Sequence, residues 1–115
     1  MTTSLKQHID LEIAAAKAFL SKRDADAAFP HLERAHVLAQ ARTGVHTRIH
    51  VKMLKAGWMR RDLREVFGQL FRIIGAATKT PFGIYPRGNT GGANVYFFKK
   101  MQVPEDLQSI LDQSK

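Results

Sequence analysis

Five histidines occur in this 115-residue chain, and four of them, His31, His36, His46 and His50, fall in one stretch of twenty residues. Imidazole is the side chain whose ordinary pKa lies nearest neutrality, and in its neutral form it is the commonest ligand for transition metals. His46 and His50 are four apart and would share a helix face, a spacing that chelates zinc, nickel or copper. Glu33 and His36 form a Glu-x-x-His pair. Di-iron carboxylate bundles use that pair twice, with two further glutamates. Here Glu65 is followed by Val66, Phe67 and Gly68, so the second pair is missing and a full di-iron site is not expected. The ligand set on offer is His36, His46 and His50, with Glu33 or His31 completing the shell around zinc or another transition metal. The alternative is a set of histidines that pack against apolar neighbours and hydrogen-bond to backbone or glutamate. A neutral cluster would also suit a pH switch.

Two other stretches have chemical potential. Arg87-Gly88-Asn89-Thr90-Gly91-Gly92 could offer successive backbone N–H groups to an anion, as a nest does. It is neither a Walker loop, since no Gly-Lys-Ser/Thr follows, nor a Rossmann turn, since no βαβ unit surrounds it. The competing expectation is a structural loop that crosses the bundle with positive-φ glycines. Arg60, Arg61 and Arg64 form a basic cluster, and with Trp58 and Tyr85 near in sequence they could make a nucleic-acid surface. No recognised nucleic-acid motif accompanies them. The serines and threonines lack a nucleophile-elbow context, although His36 with Glu33, or His50, could serve as an acid–base pair.

The elements that must position these residues are helices. Leu5, Ile9, Ile13, Ala16 and Leu20, widened by Phe19, predict a first helix over Leu5–Lys22. Asp24 and Asp26 are both N-cap candidates for the second, whose stripe is Ala28, Leu32, Ala35 and Ala39 and whose end lies near Arg42. It starts either near Asp26 with a bend or at Pro30. Thr43-Gly44 reads as the turn to a third helix over Val45–Ala56, which Gly57 would close in a left-handed conformation. Its apolar residues Ile49, Met53 and Leu54 share a side with His46 and His50. Helices two and three then form an antiparallel hairpin with His36 level with His50. Asp62 and Glu65 look like a capping box opening a fourth helix, which ends before Pro81. Leu63, Val66, Phe67, Leu70, Ile74 and Ala77 form its apolar stripe, with Arg61, Arg64 and Arg72 largely off it. Val95–Phe98 reads as extended, and Pro104–Leu111 as a short last helix.

Two resemblances rest on these residues. Ala16, Phe19, Ala28, Leu32 and Ala35 resemble one tetratricopeptide-type hairpin over Glu12–Gln40, but Asp62 stands where a second repeat would need a small residue. One such hairpin forms no peptide groove. The run His31-Leu32-Glu33-Arg34-Ala35-His36, then His46, His50, Met53-Leu54, Arg61-Asp62, Glu65, Gly68-Gln69 and Gly88-Asn89-Thr90-Gly91-Gly92, resembles a bacterial family known as domain of unknown function 3703. The similarity spans about Ala27 to Leu111. It implies a compact helical protein and directs attention to the histidines and the glycine loop.

Bulk properties bound the remainder. The length suits one domain over residues 1–115. With no cysteine, disulfides, thiolate metal sites and cysteine nucleophiles are excluded. No signal peptide or membrane span is evident, so a cytoplasmic location is expected. The net charge is +8. By count it is +1 up to Thr47 (six basic, five acidic) and +7 from Arg48 onward (twelve basic, five acidic). Such an excess attracts nucleic acid, anionic lipid or an acidic protein, or simply keeps a surface solvated. The expectation is therefore an all-α bundle of four main antiparallel helices with a glycine-rich loop and a short C-terminal helix. Its leading function is non-enzymatic binding of a protein partner or, through the histidines, a metal ion. The alternatives are nucleic-acid binding through Arg60–Arg64 and a histidine-based metalloenzyme. The chain would be a monomer, or a homodimer if one helix stripe is left uncovered.

Overall fold

A computed structural model of the chain describes residues 2–79, 87–93, 95 and 99–114. Five helices follow in order: α1 (Thr2–Ser21), α2 (Ala25–Ala39), α3 (Thr43–Met59), α4 (Leu63–Lys79) and α5 (Glu105–Gln113). Each main helix packs on the next, and α5 lies against α1 and α2. No helix among the described residues is long and apolar enough to cross a membrane.

The junctions explain the boundaries. Asp24 caps α2 by accepting from the Ala27 N–H at 3.1 Å, so α2 starts well before Pro30 and carries that proline in its interior. The turn between α2 and α3 sits at Gln40–Arg42, and Thr43 and Gly44 already belong to α3. Gly57 is likewise inside α3, and the left-handed closing residue is Arg61, with φ 56°. The Asp62 N–H then reaches back to the Gly57 carbonyl at 2.9 Å. α1 ends the same way: Arg23 has φ 59° and the Asp24 N–H bonds the Phe19 carbonyl at 2.9 Å. Both are Schellman closures made with arginine where glycine is usual, and each is followed at once by an aspartate that caps the next helix. Asp62 accepts from the Glu65 N–H at 3.1 Å, but the Glu65 carboxylate turns inward instead of completing a capping box.

The main apolar core draws on Leu5, Ile9, Ala16 and Leu20 of α1, eleven residues of α2 and α3 that include Leu32, Ile49 and Met53, and Val103 and Leu107 toward the C-terminus. α4 contributes nothing to this cluster. The sequence stripe on α4 exists, but it faces outward: Leu63, Phe67, Leu70 and Ile74 are exposed, Phe67 and Ile74 to 66% and 65%, and Phe71 joins them. Of that stripe Val66 is buried, beside Glu65, Gln69 and Arg72. A periodic pattern fixes the faces of a helix but not which one turns inward. Here the inward face is polar because it answers to the polar group described next. Of the stretch expected to be extended, Val95 is described and residues 96–98 lie outside the described residues, as does Tyr85.

Candidate metal centre

His36 projects from the last turns of α2, and His46 and His50 from successive turns at the start of α3. Ala35, Ala39, Ile49 and Met53, all fully buried, bring the two helices together at this level. The three imidazoles meet edge to edge. His36 Nε2 lies 2.9 Å from His46 Nε2 and 3.0 Å from His50 Nε2, and the remaining side of the triangle is 3.1 Å. They form the group among the described residues with metal-binding geometry.

Each ring is held from behind. His36 Nδ1 lies 2.7 Å from the Asn89 backbone carbonyl. A carbonyl only accepts, so Nδ1 carries the proton and Nε2 of the neutral ring presents a lone pair. His50 Nδ1 lies 2.6 Å from Gln69 Oε1. The orientation of that amide is fixed because its nitrogen donates to Glu65 Oε2 at 2.5 Å and to the Gly91 carbonyl at 2.8 Å. Nδ1 of His50 is therefore also a donor. The His46 ring bonds the backbone carbonyl of Gln40 at the end of α2. With Nε2 facing the other two rings, Nδ1 is the nitrogen left to make that bond. Three Nε2 lone pairs consequently converge on one point, which is unfavourable unless something electropositive sits among them.

A proton fills that role poorly. Burial, with the neighbouring imidazoles, drives His36 well below its ordinary value. His46 is lowered to about 4 by burial. Burial and then the charge of His46 lower His50 to about 3. The Arg72 guanidinium adds to the effect on His36 and His50. A metal ion fits better. Three nitrogens about 3.0 Å apart have a circumradius of about 1.7 Å, so an ion at a bond length of ~2.05 Å would stand ~1.1 Å above their plane with N–metal–N angles of ~94°. That is a facial arrangement with further coordination positions on one side. The shared backing of ligand rings by carbonyls and an amide is the outer-shell pattern that fixes tautomer and ring direction in metal sites.

The other residues singled out by sequence stand elsewhere. Glu33, expected to complete the shell, is outside the group of converging ligands. It is half-buried and bonded to the Thr90 side chain, and burial raises its pKa against that bond. His31, the other candidate, lies 3.1 Å from Glu12 and stacks on Phe19, with ring centroids 5.8 Å apart. The glycine loop serves the histidines. The Gly88 N–H donates to Gln40 Oε1 and the Gly91 N–H to Asn89 Oδ1, both at 2.8 Å, so these two donors are turned inward to side chains of the protein. Gly91, at φ 89°, lies so close to His36 that an added Cβ would stand 2.6 Å from its ring. Arg87 donates to Gln108 at 2.8 Å. In the basic cluster, Arg60 pairs with Asp26 at 3.4 Å and lies over the Phe29 ring at 5.2 Å, while Arg64 is exposed.

Sequence reasoning gave Gln69, Glu65, Gln40 and Asn89 no role at the histidines, placing Glu65 in a capping box and Asn89 in an anion loop, yet together the four orient the cluster. A signal for two of them existed. Glu65, Gln69 and Arg72 recur at helical spacing on the side of α4 away from its apolar stripe, a polar stripe that reads as solvent-facing until the apolar side is seen to be outside. Glu65 also accepts from the Ala93 N–H at 2.9 Å, tying α4 to the loop.

The sequence model of a family described as "Protein of unknown function (DUF3703)" matches residues 3–111. No curated protein and no solved structure matches the chain.

Proposed function

Because the chain belongs to the DUF3703 family, whose description assigns no activity, we propose a function from the site itself: the protein binds a transition-metal ion through Nε2 of His36, His46 and His50. The observation that carries this reading is the triangle of Nε2 atoms, 2.9–3.1 Å on a side, whose partner nitrogens are committed as donors. Neutral imidazole favours zinc, copper, nickel and cobalt over calcium or magnesium. The donor set brings no charge of its own, and the Glu65 carboxylate, reached from His50 through Gln69, offers compensation. All three rings are buried, at 3–5% exposure, which suits retention of an ion better than turnover of a substrate. This favours a binding protein over a metalloenzyme.

Chelator-stripped protein titrated with Zn²⁺, and separately with Co²⁺ to give a visible ligand-field spectrum, provides the test. One equivalent should bind, and His46→Ala and His50→Ala should each abolish the cobalt bands while circular dichroism reports a retained fold. Folded wild-type protein that takes up none of Zn²⁺, Co²⁺, Ni²⁺ or Cu²⁺ would remove the proposal.

A further inference from the structure

The outward face of α4 is unlike any other surface among the described residues. Leu63, Phe67, Leu70 and Ile74 stand at 46–66% exposure, with Phe71 at 61% alongside. Their spacing of four, three and four is the heptad seam of a helix that packs against another helix. The same four positions read nearly the same in either direction, branched aliphatic at both ends and a Phe–Leu pair in the middle. No charged residue interrupts the seam.

We propose that this face is an isologous dimer interface, occupied by α4 of a second copy of the chain running antiparallel. Size supports a second copy. Taking roughly 200–240 Å² for a fully exposed residue of these types, the five leave on the order of 600 Å² per copy, or about 1,200 Å² across the pair, the lower edge of a stable interface. Charge selects the direction. Arg61 and Arg64 flank the N-terminal end of the seam, and both are exposed. In a parallel pair each would meet its own copy. In an antiparallel pair centred between Phe67 and Leu70, the Arg61 and Arg64 mates are on the order of 22 Å and 14 Å apart along the axis, beyond a physiological Debye length of about 8 Å. The antiparallel arrangement also sets the N-terminus of one helix beside the C-terminus of the other. The interface is independent of the metal reading, since its side chains stand on the exposed face of α4, away from the buried Gln69 through which the helix reaches His50.

Sedimentation velocity of the full chain, run over a range of concentrations with chelator present, should return twice the chain mass. Phe67→Glu should weaken the association at least tenfold while circular dichroism stays unchanged. Because the chain has no cysteine, single cysteines report direction. Leu70→Cys should crosslink through the two-fold axis under oxidation and Ile74→Cys should not, whereas a parallel pair would crosslink both. A monomer at all concentrations, a higher oligomer, a dimer indifferent to Phe67→Glu, or equal crosslinking of both cysteines overturns the proposal.

Discussion

At the scale of single residues, the cluster depends on groups that never touch the ion. Gln69 satisfies the His50 Nδ1–H, the Glu65 carboxylate and the Gly91 carbonyl with one amide. Gln69→Leu would leave all three without that partner and free the His50 ring to choose either tautomer. Loss of an outer-shell partner typically weakens metal affinity 10–100-fold, and that range is expected in zinc titrations of this variant. Stranded buried polar groups cost about 1–3 kcal/mol, which urea unfolding of the stripped variant should show. The histidines themselves were legible in the sequence, because four-residue spacing on one helix and a hairpin turn suffice to bring His36, His46 and His50 together. Glu33 stands outside the converging group, since a Glu-x-x-His pair shows that two side chains share a face, not that both point at the same neighbour. Gln69 and Asn89 were not legible as partners: the first depends on which way α4 faces, and the second on how the glycine loop returns across α2.

At the scale of elements, helix ends account for most differences between expectation and structure. A glycine was expected to close α3, yet Gly57 is buried where α3 meets α4, and an added Cβ would stand 2.8 Å from Glu65 Cγ. Arg61 takes the left-handed position instead, at φ 56°. A side chain there costs roughly 1 kcal/mol. Arg61→Gly should accordingly raise the urea midpoint by the equivalent of about 0.5–1 kcal/mol, and an unchanged or lower midpoint would show that the arginine side chain compensates. α4 itself was predicted correctly as a helix opened by Asp62, and its stripe was identified residue by residue. Its direction was not, because burial of Glu65, Gln69 and Arg72 is favoured by groups that two other segments supply: His50 from α3, and the loop backbone at Gly91, Ala93 and Val95.

For the molecule as a whole, the histidines make stability depend on acid. Free histidine titrates near 6.5, whereas in the folded chain His46 is held to about 4 and His50 to about 3. Between those values the unfolded chain binds protons that the folded chain refuses. The contribution of these rings is therefore fully present above about pH 6.5 and shrinks as pH falls toward the folded values, by up to about 1.4 kcal/mol per pH unit for each ring. Urea unfolding of stripped protein at pH 7, 6 and 5 should show a steady loss. A flat profile would mean that the rings can gain protons in the folded state.

The absence of α4 from the apolar core cluster has a kinetic counterpart. A helix that packs closely on α3 yet stays outside that core can detach while α1, α2 and α3 remain assembled, so it should behave as its own cooperative unit. Backbone amides of α4 should then exchange with deuterium through a subglobal opening, well ahead of those in α2. An ion held by His36 of α2 and by His46 and His50 of α3 would stabilise the fold as a whole, and by stiffening the bond from His50 to Gln69 it would also tighten the anchor of α4, so occupancy should slow exchange in both helices. Uniform protection across both helices in the stripped protein would show that α4 opens only when everything does.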